Sequence, residues 1–245
     1  MTQEHEYHAS GVLGVAVGLA AVAGFVDAHV FLHVAEVFVA NMSGNLIHLG
    51  MATGLEDWQR AARSAVSLVA FAGGIVVATV LHQRRVQGGR RPPPVALLVA
   101  ESVLLLALLG LLVAVPDLGD HVDRGADLGA YVAVLLGATA MGLQTVALRR
   151  VGSVAVATTY GTGTIVRIGE KLALGAAGAE RTSEVRRRVT VVVLVSVLVG
   201  YVGGAILATV MGSSPSGLLV PIAALGVCAV VSVGWRGADV DAESA

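Results

Sequence analysis

Apolar residues run along this chain in stretches of about twenty, separated by short polar segments. A run of about 20 apolar residues crosses a bilayer as a helix. The pattern predicts six spans, at residues 11–32, 61–81, 95–115, 130–148, 189–211 and 218–233. Two more stretches, 34–54 and 153–175, are apolar in part but carry Gly and polar side chains through their middle. Counting both as full spans gives eight. Reading them as broken or re-entrant gives six.

The first of these stretches organises the chain. Residues 24–50 read GFVDAHVFLHVAEVFVANMSGNLIHLG and carry Asp27, His29, His33, Glu36, Asn41, Ser43, Asn45 and His48. Polar groups at membrane depth are costly and usually face a bundle interior or a watery cavity. The core Asn41-Met42-Ser43-Gly44-Asn45 sets a Gly and two turn-prone Asn inside an apolar run. Non-helical backbone at that depth persists only where protein or water satisfies it.

Composition agrees with a lipid solvent. Hydrophobic residues make up 56% of the chain and charged residues 13%, against roughly 25% charged in soluble domains. A net charge of −1 gives no basic surface for nucleic acid. A single cysteine, Cys228, excludes an intramolecular disulfide. The N-terminus MTQEHEYHAS lacks Lys and Arg, so the apolar run after it reads as a retained span rather than a signal peptide.

Lys and Arg set the expected orientation. With HQRRVQGGRR placed in the cytoplasm, six spans put both termini there and the acidic loop 116–129 outside. Of the 16 Lys and Arg, only Arg60, Arg63 and Arg124 then lie outside. The eight-span count moves the loop ERTSEVRRR outside, against that rule, so six is preferred.

The two halves resemble each other. Residues 68–80, LVAFAGGIVVATV, align without a gap to 198–210, LVGYVGGAILATV. Ser43-Gly44-Asn45 matches Thr162-Gly163-Thr164, and Pro94-Val-Ala-Leu-Leu matches Pro221-Ile-Ala-Ala-Leu loosely. Three spans is an odd number, so the second copy enters the membrane upside down, an arrangement common among secondary transporters. The expected fold is therefore an all-α membrane protein of about six transmembrane helices. They form two inverted three-helix repeats, 11–115 and 130–235, each with a broken or re-entrant polar segment. Polar tails, 1–10 and 236–245, flank them.

Gly24-Phe25-Val26-Asp27-Ala28, Phe31-Leu32 and Met42-Ser43-Gly44-Asn45 in the first half carry a family resemblance. So do Gly142-Leu143-Gln144, Arg149-Arg150, Thr158-Thr159 and Thr162-Gly163-Thr164 in the second. On these residues the chain resembles the YoaK-like family of bacterial multi-pass membrane proteins of unknown function. Ser43 stands where that family usually has Thr, and Thr145 where it usually has Asn. The resemblance implies the bacterial inner membrane and implies no substrate.

The candidate chemistry follows from the polar positions. His29, His33 and Glu36 share one face if the helix continues, as a proton relay or as a solvated end. Glu101 lies roughly 12 Å into the third span at 1.5 Å per residue, where a carboxylate is expected to be protonated or paired. Asp27 and Glu101 are the candidate proton-coupling groups. Asn41, Asn45 and His48 fall at i, i+4 and i+7, as do Tyr160, Thr164 and Arg167 after alignment of Gly44 with Gly163. A solute site shared by the two segments would draw on Asp27, Asn41, Ser43, Gly44, Asn45 and His48. From the second half it would draw on Gln144, Thr159, Thr162, Gly163, Thr164 and Arg167. No metal, cofactor or enzyme motif is present. The expectation is a small transporter or channel for a polar or charged solute, with a membrane scaffold as the alternative and an intramembrane enzyme a distant third. Expected partners are the lipid bilayer and an unknown small solute, with no nucleic acid; homo-oligomerisation is left open.

Overall fold

The computed structural model describes residues 2–87, 94–115, 118, 128–148, 150–151, 154–155, 159, 161–176 and 184–233. Residues 88–93 of the Arg- and Pro-rich connector, nearly all of the acidic loop, the C-terminal tail, Arg149, Thr158 and Tyr160 lie outside the described residues.

Among the described residues, eight α-helices carry the chain. α1 (Thr2–Val30) runs on as a π-helical turn, Phe31–Ala35. α2 (Met42–Gly54), α3 (Trp58–Gln87) and α4 (Val95–Ala114) complete the first half. α5 (Leu128–Ala147) opens the second, followed by a two-stranded antiparallel pair, β1 (Arg150–Val151) and β2 (Val154–Ala155). Then come α6 (Gly161–Ala176), α7 (Glu184–Met211), a 3-10 turn (Pro215–Leu218) and α8 (Leu219–Val233).

Among the described residues, six helices are long and apolar enough to cross a bilayer, at Gly11–Ala35, Trp58–Arg85, Val95–Ala114, Leu128–Ala147, Arg187–Met211 and Pro215–Val233. Their bounds differ from the predicted spans by a few residues at most. α2 has 13 residues and α6 has 16. At 1.5 Å per residue they reach about 20 and 24 Å, short of the roughly 30 Å hydrocarbon core. They are the two polar stretches that broke the apolar pattern.

Burial ranks the helices. The apolar windows of the spans formed by α1 and α5 are each 67% buried, those of α3, α4 and α7 28%, and that of α8 33%. α1 and α5 are therefore central and the others face outward. α1 packs most extensively on α7, and α5 on α3 and then α4. α8 packs on α1 and α4. Val69, Val76, Val77, Val192, Val199 and Val202 point away from these contacts and are exposed, as a lipid-facing surface requires.

Glycine sets how close the helices come. A Cβ on Gly24 would lie 1.9 Å from the Tyr201 carbonyl oxygen, and one on Gly204 1.9 Å from that of Ala21. In the other pair, a Cβ on Gly142 would lie 2.4 Å from the Phe71 carbonyl oxygen, and one on Gly74 2.5 Å from that of Thr139. Any side chain at these four positions would push the backbones apart. Of the two Gly-Gly pairs, Gly73-Gly74 and Gly203-Gly204, the close packing belongs to Gly74 and Gly204. Gly73 and Gly203 face open space.

Candidate functional site

The first polar segment turns back into the bundle. Its helix widens to π geometry at Phe31–Ala35, and Glu36 then adopts a left-handed conformation, φ 53°. Such π-helical turns often mark functional sites. Arg63 Nη1 donates to the Ala35 carbonyl (3.2 Å), and Arg60 pairs with Glu36 (3.1 Å). One turn further along α3, Ser67 Oγ donates to the Phe38 carbonyl (2.7 Å). Val39 and Ala40 reach the level of Asp27, about 12 Å of helix axis short of Ala35. The chain has therefore run back alongside α1. α2 returns it past α3 to Leu55.

Two side chains pin that excursion. Asp27, buried on α1, accepts hydrogen bonds at Oδ1 from the Val39 and Ala40 amides, both at 2.6 Å. Tyr201 on α7 donates its hydroxyl to Asp27 Oδ2. Asn45, fully buried, pairs with Phe38 as a peptide would. Its Oδ1 accepts from the Phe38 amide (2.9 Å), and its Nδ2 donates to the Phe38 carbonyl (2.6 Å) and to Ser67 Oγ (2.9 Å). Backbone polar groups that leave a helix inside a membrane protein need such partners.

The remaining residues of the segment shape α2. Asn41 caps it: its Oδ1 accepts from the Gly44 amide (3.3 Å) and from Ser43 Oγ (2.8 Å). A Cβ on Gly44 would lie 2.8 Å from the Phe38 ring. His48 packs against Phe31 and Phe38, ring centroids 5.7 and 5.8 Å away. The expected face of Asn41, Asn45 and His48 is thus divided among a cap, a backbone pairing and an aromatic cluster. Glu36 likewise leaves the face of His29 and His33, because the helix ends before it. His29 is buried between the Phe25 and His33 rings, at centroid distances of 6.1 and 5.4 Å.

The second half carries fewer and weaker polar contacts. Thr145 on α5 donates its hydroxyl to the Met141 carbonyl (2.9 Å) and lies 3.0 Å from the Thr159 hydroxyl just before α6. A hydroxyl has one proton, so with Thr145 donating to Met141, Thr159 is the donor of the shared bond. Gln144, fully buried, donates Nε2 to the Leu19 carbonyl of α1 (2.9 Å). Thr164 is buried, whereas Thr162 and Arg167 are exposed, and Arg167 Nη1 donates to the Ala155 carbonyl in β2 (2.7 Å). α2 docks on α3 and α6 on α7. The two segments therefore build separate clusters, one at Asp27 and one at Thr145.

Tyr201, Ser67 and Arg63 went unnoticed in the sequence. One signal for Tyr201 was available. It stands where the first repeat has Phe71, so it adds a hydroxyl at a shared position. Glu101 belongs to neither cluster: it is fully buried on α4, and neither carboxylate oxygen has a hydrogen-bond partner among the described residues.

Comparison with known proteins adds membership without a mechanism. A family model described as "Protein of unknown function (DUF1275)" matches residues 15–231. The chain is 27% identical to the UPF0700 transmembrane protein YoaK of Bacillus subtilis (strain 168) over 150 residues. That alignment spans 61% of this chain and 62% of that protein. No solved structure matches. With six spanning helices, the chain is an integral multi-pass membrane protein.

Proposed function

We propose that this chain, which belongs to the DUF1275 family of proteins of unknown function, is a small secondary transporter or channel for a polar or charged solute. In this reading it sits in the bacterial cytoplasmic membrane with both termini in the cytoplasm. It is built as two inverted three-span repeats, each carrying one re-entrant segment, and has no catalytic step.

The observation that carries this reading is an exchange of contacts between the halves. Ala21 and Gly24 have the spacing of Thr139 and Gly142, and Tyr201 and Gly204 that of Phe71 and Gly74. The four closest glycine approaches map onto one another under that exchange. The buried stripes agree as well: Pro94, Leu98, Glu101 and Leu105 on the α4 side have the spacing of Pro221, Leu225, Cys228 and Ser232 on α8. Asp27 facing Ala40 has its counterpart in Thr145 facing Thr159. Inverted repeats with interrupted helices place solute sites where the halves meet and alternate access by moving one against the other.

A scaffold role is the second reading, and one observation favours it: Asp27 and Asn45 spend their hydrogen bonds on the protein itself. A thermal-shift screen of purified protein against small anions, cations and metabolites distinguishes the two. A ligand at 100 times its Kd raises stability by about 2.7 kcal/mol. A transporter gives at least one hit that also crosses proteoliposomes containing the protein, and a scaffold gives none.

A further inference from the structure

Most polar groups buried in this bundle are otherwise used. Asp27, Asn45, Ser67 and Gln144 each bond a backbone group of another segment. Glu101 departs from that rule. It interrupts the apolar stripe Leu98, Leu105, Leu108 and Leu112 of α4, its exposure is 0%, and both oxygens lack a hydrogen-bond partner among the described residues. A buried polar group without a partner needs an explanation beyond packing.

Among the described residues, the elements packed most extensively on α4 supply no counter-ion. α4 packs on α5, α8 and the 3-10 turn Pro215–Leu218. Among these elements the titratable side chains are Tyr131 at the opposite end of α5 and Cys228 on α8, and none carries Lys, Arg, Asp or Glu. Cys228 lies within electrostatic reach of Glu101 and occupies the matching position in the second stripe. It also fills the space that Gly18 leaves open, its Sγ 3.0 Å from where a Cβ would stand. Glu101 therefore faces α8 near Cys228, whose thiol in turn meets α1 at Gly18.

We propose that Glu101 binds and releases a proton inside the bundle and is the group that ties proton movement to solute movement. This rests on the transport reading for its purpose. A metal cation takes several oxygen ligands, and the described residues hold no group of three or more His, Cys, Asp or Glu. A lone carboxyl supplies what a proton needs, one basic oxygen. Ionising it leaves an unpaired charge in an apolar site, which is strongly unfavourable. That cost is relieved only by a change of surroundings that brings in water or a donor. Protonation and conformation are thus linked, as a coupled transporter requires. Among the described residues, buried side-chain atoms of His29, His33 and Ser64 also lack a hydrogen bond, but the two imidazoles are held in an aromatic stack, which already accounts for them, and a serine hydroxyl is no proton site near neutral pH.

Infrared difference spectroscopy of the protein in bilayers, titrated with pH, tests the assignment without knowledge of the solute. The wild type should show the carbonyl band of a protonated, weakly hydrogen-bonded carboxylic acid that is lost reversibly as pH rises. Glu101→Gln should lack the band, and Glu101→Asp should retain one at a shifted position. Equal elution and thermal midpoint certify that each variant is folded. A band unaffected by pH across the folded range, or one that persists in Glu101→Gln, overturns the proposal. Solute flux in proteoliposomes is scored separately. Flux whose pH dependence disappears in Glu101→Gln supports coupling. Flux with unchanged pH dependence in that variant overturns coupling and leaves transport standing. No flux in the wild type fails the transport reading and coupling with it, while the infrared result still decides whether Glu101 takes up a proton.

Discussion

Replacing Asp27 with Ala removes the acceptor for three donors at once: the Val39 and Ala40 amides and the Tyr201 hydroxyl. The tip of the excursion is buried, Val39 at 0% and Ala40 at 2% exposure. Water therefore reaches neither amide without opening the bundle. A buried donor left without a partner costs about 1–3 kcal/mol, so the three together cost roughly 3–9 kcal/mol. A folded domain has about 5–15 kcal/mol to lose. For a chain of this size each kcal/mol moves a thermal midpoint by about 2–4 °C. Asp27→Ala should lower the midpoint by roughly 10 °C or more, or abolish recovery of monodisperse protein. Tyr201→Phe removes one bond and leaves the residue that stands at the matching position, Phe71. It should cost about 1 kcal/mol, a shift of a few degrees. The assay heats detergent-solubilised protein and measures the fraction that still elutes at the native volume by fluorescence. A midpoint for Asp27→Ala within about 2 °C of wild type, on the same scale, would refute the reasoning. It would mean that residues 36–41 are held by something other than this carboxylate.

Asn45→Ala removes the side chain that pairs with Phe38 and leaves the Phe38 amide unbonded, for a loss of about 1–3 kcal/mol; the same heating assay reads it. Gly204→Ala forces a Cβ against the Ala21 carbonyl and should destabilise by 1–3 kcal/mol or more, as overpacking does. Gly203→Ala next to it faces open space and should be neutral, so equal midpoints for the two variants would contradict the packing. Reporter fusions after Ala245 and within residues 117–128 should report opposite sides of the membrane, with the C-terminus in the cytoplasm. A cytoplasmic acidic loop would invert the proposed orientation.

The spans were legible because length and apolarity alone decide what lipid accepts. The two short helices were legible as breaks for the same reason: Asn41 to Asn45 and Thr162 to Thr164 cannot sit in hydrocarbon unpaired. What they pair with was not. Asn45 reads as a polar residue that could face a solute, and only the path of the backbone turns it toward Phe38 and Ser67. A shared face for His29, His33 and Glu36 needs α1 to continue beyond Ala35, and one for Asn41, Asn45 and His48 needs α2 to include Asn41. A π turn and an N-cap intervene, and neither leaves a period in the sequence. The matching stretches 68–80 and 198–210 each carry a Gly-Gly pair, and in the sequence both glycines of each pair read alike. Which of them meets a neighbour depends on the rotation of the helix, and the alternate one faces outward. β1 and β2, two residues each, lie below what a pattern of alternation can reveal.

The transport reading is met most directly by flux through purified protein in sealed liposomes, followed with a panel of small polar and charged solutes under imposed pH and voltage gradients. At least one solute should cross faster than in protein-free liposomes, with the rate saturating in solute and lost in Asp27→Ala if that variant can be reconstituted. Correctly inserted wild-type protein that moves no member of the panel under any gradient would contradict the account and leave the scaffold reading in its place.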